Sequence, residues 1–295
     1  MIKVALEKCE KYEIALVKEK IKSSLKALGG ITSFLKSGDK VFIKLNCVGP
    51  FSPEMGITTH PVFLEAVIDI VKEYTSNIIV GDNPASKDLI FTLKKCGLYE
   101  VISKNNLKVL NGNDLVVIKN SKAKFFSNFE VSREMVEVDL LINLPKLKTH
   151  SLTYMTVAQK NLFGMIFGLS KAGWHVRANN PLQFGEALND LYGAILESFQ
   201  GKSMLHICDG IIGLEGEGPA SAGKPVDAGV ILTSTDAVSL DRVAAEVCHL
   251  NPEKLFVNKI ANERKYGIGE LKQIQIVGES ITVVFGSDAA ITAVY

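Results

Sequence analysis

Short β-branched runs alternate with longer stretches of helical period along most of the chain. Val41–Leu45 (VFIKL), Asn77–Val80 (NIIV), Val138–Leu144 (VDLLINL), Ser203–Cys208 and Gly229–Thr233 read as buried strands. Leu107–Leu110 and Leu115–Ile118 are weaker, and Ile274–Val277 with Ile281–Val284 reads as a closing antiparallel pair. Between them, Pro61–Tyr74 carries a polar stripe of Glu65, Asp69, Lys72 and Glu73 on an otherwise apolar helix, with Thr59 as its expected N-cap. Helices are also predicted around Ser86–Cys96 with Gly97 as a stop, along Phe184, Leu188, Leu191, Ile195 and Phe199, and over Asp236–Val247 and Pro252–Arg264. Strand–helix alternation of this kind predicts a single α/β domain over residues 1–295, with a mainly parallel or mixed central sheet and helices on both faces. The span 163–181, rich in Gly, Asn and Ala and without clean periodicity, stands out as a lid or insertion.

An open α/β sheet binds ligands beyond the carboxyl ends of its strands. Polar residues gather at five predicted tips. They are Lys44 and Asn46 with Thr58-Thr59-His60; Gly81-Asp82-Asn83; Pro145-Lys146-Leu147-Lys148-Thr149-His150; Asp209-Gly210 with Glu215 and Glu217; and Ser234-Thr235-Asp236. The lysines of the third tip suit an anion, and His150 suits proton transfer or metal ligation. The plain alternative for that tip is a solvated loop with alternating lysines. The glycines around Glu215 and Glu217 suit close backbone approach to a ligand, against the alternative of an ordinary surface loop. Lys160 and Asn161 follow as candidates facing the same cleft, and Trp174 with His175 as a stacking pair or lid residues. His150, Lys148 and Asp209 are therefore the candidates for chemistry. Lys44, Asn46, His60, Asp82, Lys146, Lys160, Asn161, Trp174, His175, Glu215 and Glu217 are the candidates for binding. His60, His150 and His175 with Asp82 and Asp209 make a divalent metal conceivable, without a local ligand motif to identify it.

Composition narrows the classes. Of 295 residues 47% are apolar and 22% charged, enough for a packed core. Lys plus Arg is 33 against 32 Asp plus Glu, so no global basic excess points to nucleic acid. No run of ~18 apolar residues predicts a membrane span, and the charged N-terminus lacks a signal-type apolar region. Five scattered cysteines without Cys-x-x-Cys argue against a disulfide framework and against an intrinsic iron–sulfur cluster, and favour the reduced cytoplasm. Gly218–Lys224 matches G-x-x-x-x-G-K, but Pro225 stands where a phosphate loop needs Ser or Thr and then a helix.

Taken in order, Ile43–Asn46, Thr59–Pro61, Val80–Asp82, Ile142–His150, Lys160–Gly164, Trp174-His175, Asp209-Gly210 with Glu215–Pro219, and Ser234–Asp236 with Asp241 resemble the family called domain of unknown function 362. The resemblance covers roughly Val41 to Gly278, and the PKLKTH and KNLFG runs are its most specific parts. Many relatives in that family carry a bacterial-ferredoxin-type module and are called iron–sulfur proteins. This chain has no cysteine cluster, so that property does not transfer, although a separate iron–sulfur protein can act as partner. Two functions are expected to compete. One is a protein that binds, and as an enzyme transforms, a small anionic metabolite at the strand ends. The other is a non-catalytic ligand-binding or redox-partner protein.

Overall fold

In the computed structural model, residues 1–84, 88–167, 174 and 177–281 are described. The strands are β1 (Ile2–Lys8), β2 (Val41–Lys44), β3 (Ile78–Gly81), β4 (Lys108–Val109), β5 (Leu115–Lys119), β6 (Asn128–Ser132), β7 (Leu140–Asn143), β8 (Lys146–His150), β9 (Tyr154–Thr156), β10 (Ser203–Gly216), β11 (Gly223–Ser234) and β12 (Ile274–Gly278). The helices are α1 (Ile14–Ala27), α2 (Pro61–Lys72), α3 (Leu89–Lys95), α4 (Leu98–Lys104), α5 (Arg133–Val136), α6 (Ala158–Leu162), α7 (Pro181–Ser198), α8 (Ala237–Val247) and α9 (Phe256–Glu263).

One mixed sheet organises the molecule, in the order β12-β1-β11-β10-β7-β2-β3-β4, with β8 pairing β10 and β9 off that path. All five expected strands belong to it. β7, β2 and β3 are parallel in register, with Lys44 opposite Gly81 and Asn143. β10 continues the parallel run beside β7 and then beside β8. Alternation separates the two faces. Val41, Ile43, Leu140, Ile142, Leu205, Ile207 and Ile231 pack under α1, α2, α3 and α4. Phe42, Leu141, Cys208, Leu232 and Val4 pack under α6, α7, α8 and α9. Burying a large aliphatic side chain stabilises by about 1.5–3 kcal/mol, so strands covered on both faces hold the frame that carries the site.

Several expectations change. β11 is antiparallel to both β1 and β10, so the chain leaves Ser234, level with His206 and Asn143, heading away from Asp82 and Asp209 rather than toward them. There Asp236 caps α8, accepting from Val238 and Ser239 N–H. β12 is parallel to β1 rather than half of an antiparallel pair, and residues 282–295 of the expected partner lie outside the described residues. Leu115–Lys119 joins β6 in a separate two-stranded sheet. His60, not Thr59, caps α2, its Nδ1 accepting from Val62 N at 3.2 Å. The helix expected from Ser86 begins at Leu89 behind the Asp88 cap, and residues 85–87 lie outside the described residues. Two regions read as loops are strands: Lys146–His150 is β8, and Asp209–Gly216 is the second half of β10. The N-terminal β1 and α1 carry no counterpart in the sequence reading. Of the expected lid, Phe163–Met165 forms a 3-10 turn and Trp174 is described, whereas 168–173, 175 and 176, His175 included, lie outside the described residues.

Candidate functional site

β2 ends in Lys44 and β3 ends in Gly81 just before Asp82, and the parallel register, with Lys44 opposite Gly81, brings Lys44 and Asp82 together. Lys44 Nζ meets Asp82 Oδ1 at 2.6 Å with both side chains buried. Lys44 also donates to Leu45 O at 2.7 Å. Asp82 accepts in addition from the backbone N–H groups of Cys47 and Asn83, each at 2.7 Å. Gly164 of the KNLFG run closes over this pair, since a Cβ there would stand 2.6 Å from Lys44 Nζ. That glycine is required by close approach rather than by a turn.

A second pair forms where β7 passes through Pro145 into β8. Lys146 lies opposite Asp209 of β10 in the parallel ladder. Its Nζ reaches Asp209 Oδ2 at 2.9 Å, with neither side chain exposed. The same ammonium donates to Tyr12 Oη at 2.6 Å, and Tyr12 donates to Asp209 Oδ1 at 2.7 Å. His60 N–H completes the carboxylate at 3.0 Å, and the His60 ring stacks on Tyr12 with centroids 3.5 Å apart. Every strong donor here has an acceptor, which is the condition for a tolerable buried charge. Burial pulls the Lys146 ammonium below its ordinary range while Asp209 opposes it, and burial pushes the Tyr12 phenol up. Burial also lowers His60 to about 4, so its ring is neutral at pH 7. Tyr12 carried no signal in the sequence beyond an aromatic residue ahead of a helix.

Lys148 is different. It is as buried as Lys146, yet its acceptor is a backbone carbonyl, Ile57 O, at 2.7 Å. Among the described residues no carboxylate lies within ion-pair distance of it. Burial lowers its pKa to about 7; the Lys160 charge adds to this and Asp82 opposes it. Gly56 puts Ile57 O in place: it sits at φ +65°, and a Cβ there would meet Gly213 O at 2.5 Å.

Around these lysines, Asn46 Oδ1 accepts from Lys146 N at 3.3 Å, and Thr59 Oγ1 bridges Asn46 N and Leu144 O. Asn161 of α6 donates to Leu45 O at 3.2 Å and to Asn143 Oδ1 at 2.7 Å. Asn143 in turn meets His206 Nδ1 at 3.1 Å, and burial holds His206 neutral by lowering it to about 3. Asn143 is not among the sequence candidates, although it is the polar residue in the otherwise apolar β7. Lys160 lies over the Phe163 ring, 4.6 Å from its centroid.

His150 stands at the far end of β8, on the same face as Lys146 and Lys148 by the period of two. Its Nδ1 accepts from Leu152 N at 3.0 Å and Thr153 N at 3.3 Å, which assigns the ring proton to Nε2. The Glu215–Gly218 segment reaches this end. Leu214 lies opposite Lys148, and Ser151 N donates to Gly218 O at 3.2 Å. Glu215 is half-buried opposite Lys224 of β11, and Glu217 is exposed. Gly223-Lys224-Pro225 is strand, without the helix a phosphate loop requires. Trp174 is buried between Phe126, Phe129 and Phe163, the last being the ring over which Lys160 lies. Among the described residues no three His, Cys, Asp or Glu side chains are grouped to hold a metal ion. Nor is any described helix long and apolar enough to cross a membrane.

The chain resembles known proteins along most of its length. A thylakoid-associated protein from Synechocystis sp. (strain ATCC 27184 / PCC 6803 / Kazusa) is 30% identical, over 92% of this chain and 85% of its own. The lactate racemase apoprotein from Thermoanaerobacterium thermosaccharolyticum superposes with a TM-score of 0.51 at 14% identity, over 83% of this chain and 57% of that one. A structural-genomics protein from Thermotoga maritima gives 0.50 at 12%, over 85% of this chain and 60% of its own. This chain thus spans little more than half the length of those two structures, and at such identities they share its α/β fold alone. The family model described as Domain of unknown function (DUF362) matches residues 41–246, from β2 through α8, and so contains both buried ion pairs and Lys148. With that match and its whole-length relative, the chain belongs to the DUF362 family.

Proposed function

We propose that this protein binds a small anionic metabolite at the carboxyl ends of β2, β3 and β7–β8, with Lys148 as the cation that receives it. One observation carries the reading. Asp82 and Asp209 already serve Lys44 and Lys146, while Lys148, on the same sheet edge, has a carbonyl in place of a carboxylate. A buried amine near pKa 7 is half-protonated at neutral pH, and an arriving anion favours the proton on it. Binding then takes up a proton. Lys44, Lys146 and Lys160 add positive potential, and Asn46, His60, Asp82 and Asn161 hold the strand tips. Where the bound molecule is transformed, the Lys148 amine and the His150 imidazole are the groups able to move a proton, and Asp209 holds the neighbouring Lys146.

Calorimetric titration at pH 8 with inorganic phosphate, acetate and succinate, in buffers of different ionisation enthalpy, tests this. The expected result is binding of at least one of these anions with proton uptake by the native chain, and none by Lys148→Met. Equal binding by both proteins sinks the assignment to Lys148.

The thylakoid-associated relative favours a second reading, a non-catalytic partner of another protein, an iron–sulfur protein among them. An anion-independent complex unaffected by Lys148→Met would separate it from the first. A cytoplasmic location belongs to the same proposal, and cell fractionation checks it.

A further inference from the structure

Among the described residues three lysines are buried, Lys44, Lys146 and Lys148, and five carboxylates, Glu7, Asp82, Asp190, Asp209 and Asp241. Every one of the five carboxylates is engaged. Asp82 meets Lys44, and Asp209 meets Lys146. Asp190 meets Arg264 Nη1 at 2.6 Å. Asp241 accepts from Ala158 N at 2.6 Å and Gln159 N at 3.1 Å, at the start of α6. Glu7 accepts from Ser23 Oγ at 2.6 Å and faces Lys20 Nζ at 3.8 Å. Lys148 is left with Ile57 O at 2.7 Å, while Lys146, two residues away on the same strand face, is already an ion-paired ammonium. A free amine satisfies that carbonyl with one N–H and keeps its nitrogen lone pair uncommitted. An ammonium in the same place is a buried cation held by a dipole, with a second cation beside it. The geometry therefore favours the free base, and burial brings the pKa to about 7 in agreement. β8 gives way to exposed chain at Ser151, about 10 Å along the strand from Lys148.

We propose that Lys148 is a nucleophile that forms an imine with a 2-oxo acid, an inference that rests on Lys148 being the group that receives the anion. A desolvated lysine beside another cation is the kind of amine that attacks a carbonyl carbon. The nitrogen lone pair attacks the keto carbon, the C=O π pair moves to oxygen, and an amine proton passes to that oxygen to give a carbinolamine. The C–O bond then breaks. The hydroxyl leaves as water with one proton taken from solvent, and the nitrogen pair closes the C=N bond as a protonated imine. Amine, oxo acid and one proton thus give an iminium and one water, with no electron exchanged. The missing carboxylate selects the substrate class. In a 2-oxo acid adduct the acid's own carboxylate is bonded to the imine carbon, so the ligand brings the counter-charge that the chain supplies to Lys44 and Lys146 but not to Lys148. A simple aldehyde or ketone leaves the iminium as a buried cation without an opposite charge, which is the costly arrangement.

The test is to incubate the native full-length protein at pH 7 with pyruvate, reduce with sodium cyanoborohydride, and map the peptides. The expected product is a carboxyethyl group on Lys148, formed at least about tenfold faster than on any exposed lysine, since those are almost wholly protonated at pH 7. Lys148→Met should lose this fast adduct alone. Acetaldehyde, which lacks the carboxylate, should show no such preference for Lys148 over exposed lysines. Adducts spread over exposed lysines with Lys148 unmodified overturn the proposal, and an equal preference with acetaldehyde overturns the 2-oxo acid class. Acetate or succinate binding that depends on Lys148, with no trapped adduct, removes the imine and leaves the anion site standing. Neither anion binding nor an adduct removes both. Mapping of the native chain decides this even where the variant fails to fold.

Discussion

Lys146 and Lys148 stand two residues apart on one face of β8, and both are buried. Their surroundings differ completely. Lys146 faces Asp209 and Tyr12, and that carboxylate is further held by His60 N–H. Lys148 faces the carbonyl of Ile57. The first arrangement is a closed network, in which a charge taken out of water meets an opposite charge and hydrogen bonds. The second leaves a charge buried against a dipole alone, so the amine is driven toward neutrality. Equal burial on one strand therefore gives one structural ammonium and one titratable amine. The deciding factor is what the neighbouring segments set across from each.

The largest test of this contrast is Asp209→Ala. It leaves the Lys146 ammonium buried without its carboxylate and removes the acceptor of Tyr12 and His60 N–H. A loss of about 3–5 kcal/mol in chemical denaturation is expected. A loss below about 1 kcal/mol would show that the network is not closed as described.

Lys148→Met should act in the opposite direction. The folded amine titrates near 7 and the unfolded one near ~10.4. Between those values the unfolded chain binds a proton that the folded chain does not. The Lys148 contribution to stability is therefore fully restored above ~10.4 and is lost as pH falls toward 7. Lys148→Met removes that penalty. Stability at pH 7 should rise by about 1–3 kcal/mol, and the stretch of rising stability between pH 7 and 10 should flatten. Urea midpoints across that range measure it, and a destabilised variant would make Lys148 a structural residue like Lys146.

His150→Ala is the smallest change. It removes the ring that accepts the Leu152 and Thr153 N–H groups at the end of β8 and touches neither ion pair. A cost of about 1 kcal/mol in thermal or chemical unfolding is expected, with the Lys148 pH dependence intact. If that dependence shifts, the two ends of β8 are coupled.

The apolar frame was legible in the sequence because local pattern determines it. VFIKL, NIIV and VDLLINL are short apolar runs between helical stretches, and all take their places in one sheet. The gathering of Lys44, Asp82, Lys146 and Asp209 at one edge was also legible, since parallel strands end together. The Ser234–Asp236 tip was misplaced because no local signal gives a strand's direction, and β11 runs against its neighbours. β8 and the second half of β10 were hidden for a different reason. KLKTH and GIIGLEG have the composition of loops, and they become strands by pairing with β9 and β11 respectively, with two further pairs between β8 and β10 themselves.

Sequence alone thus determined the family, the layered α/β class and the residues that reach the strand ends. Tertiary structure alone decided their chemistry. A lysine's state depends on the groups across from it, and those come from distant segments: Tyr12 ahead of α1 and Asp209 on β10 for Lys146, and Ile57 before α2 for Lys148. Hydrophobic periodicity records which way a side chain faces. It carries no record of the partner waiting there, and a buried charge takes its pKa and its role from that partner.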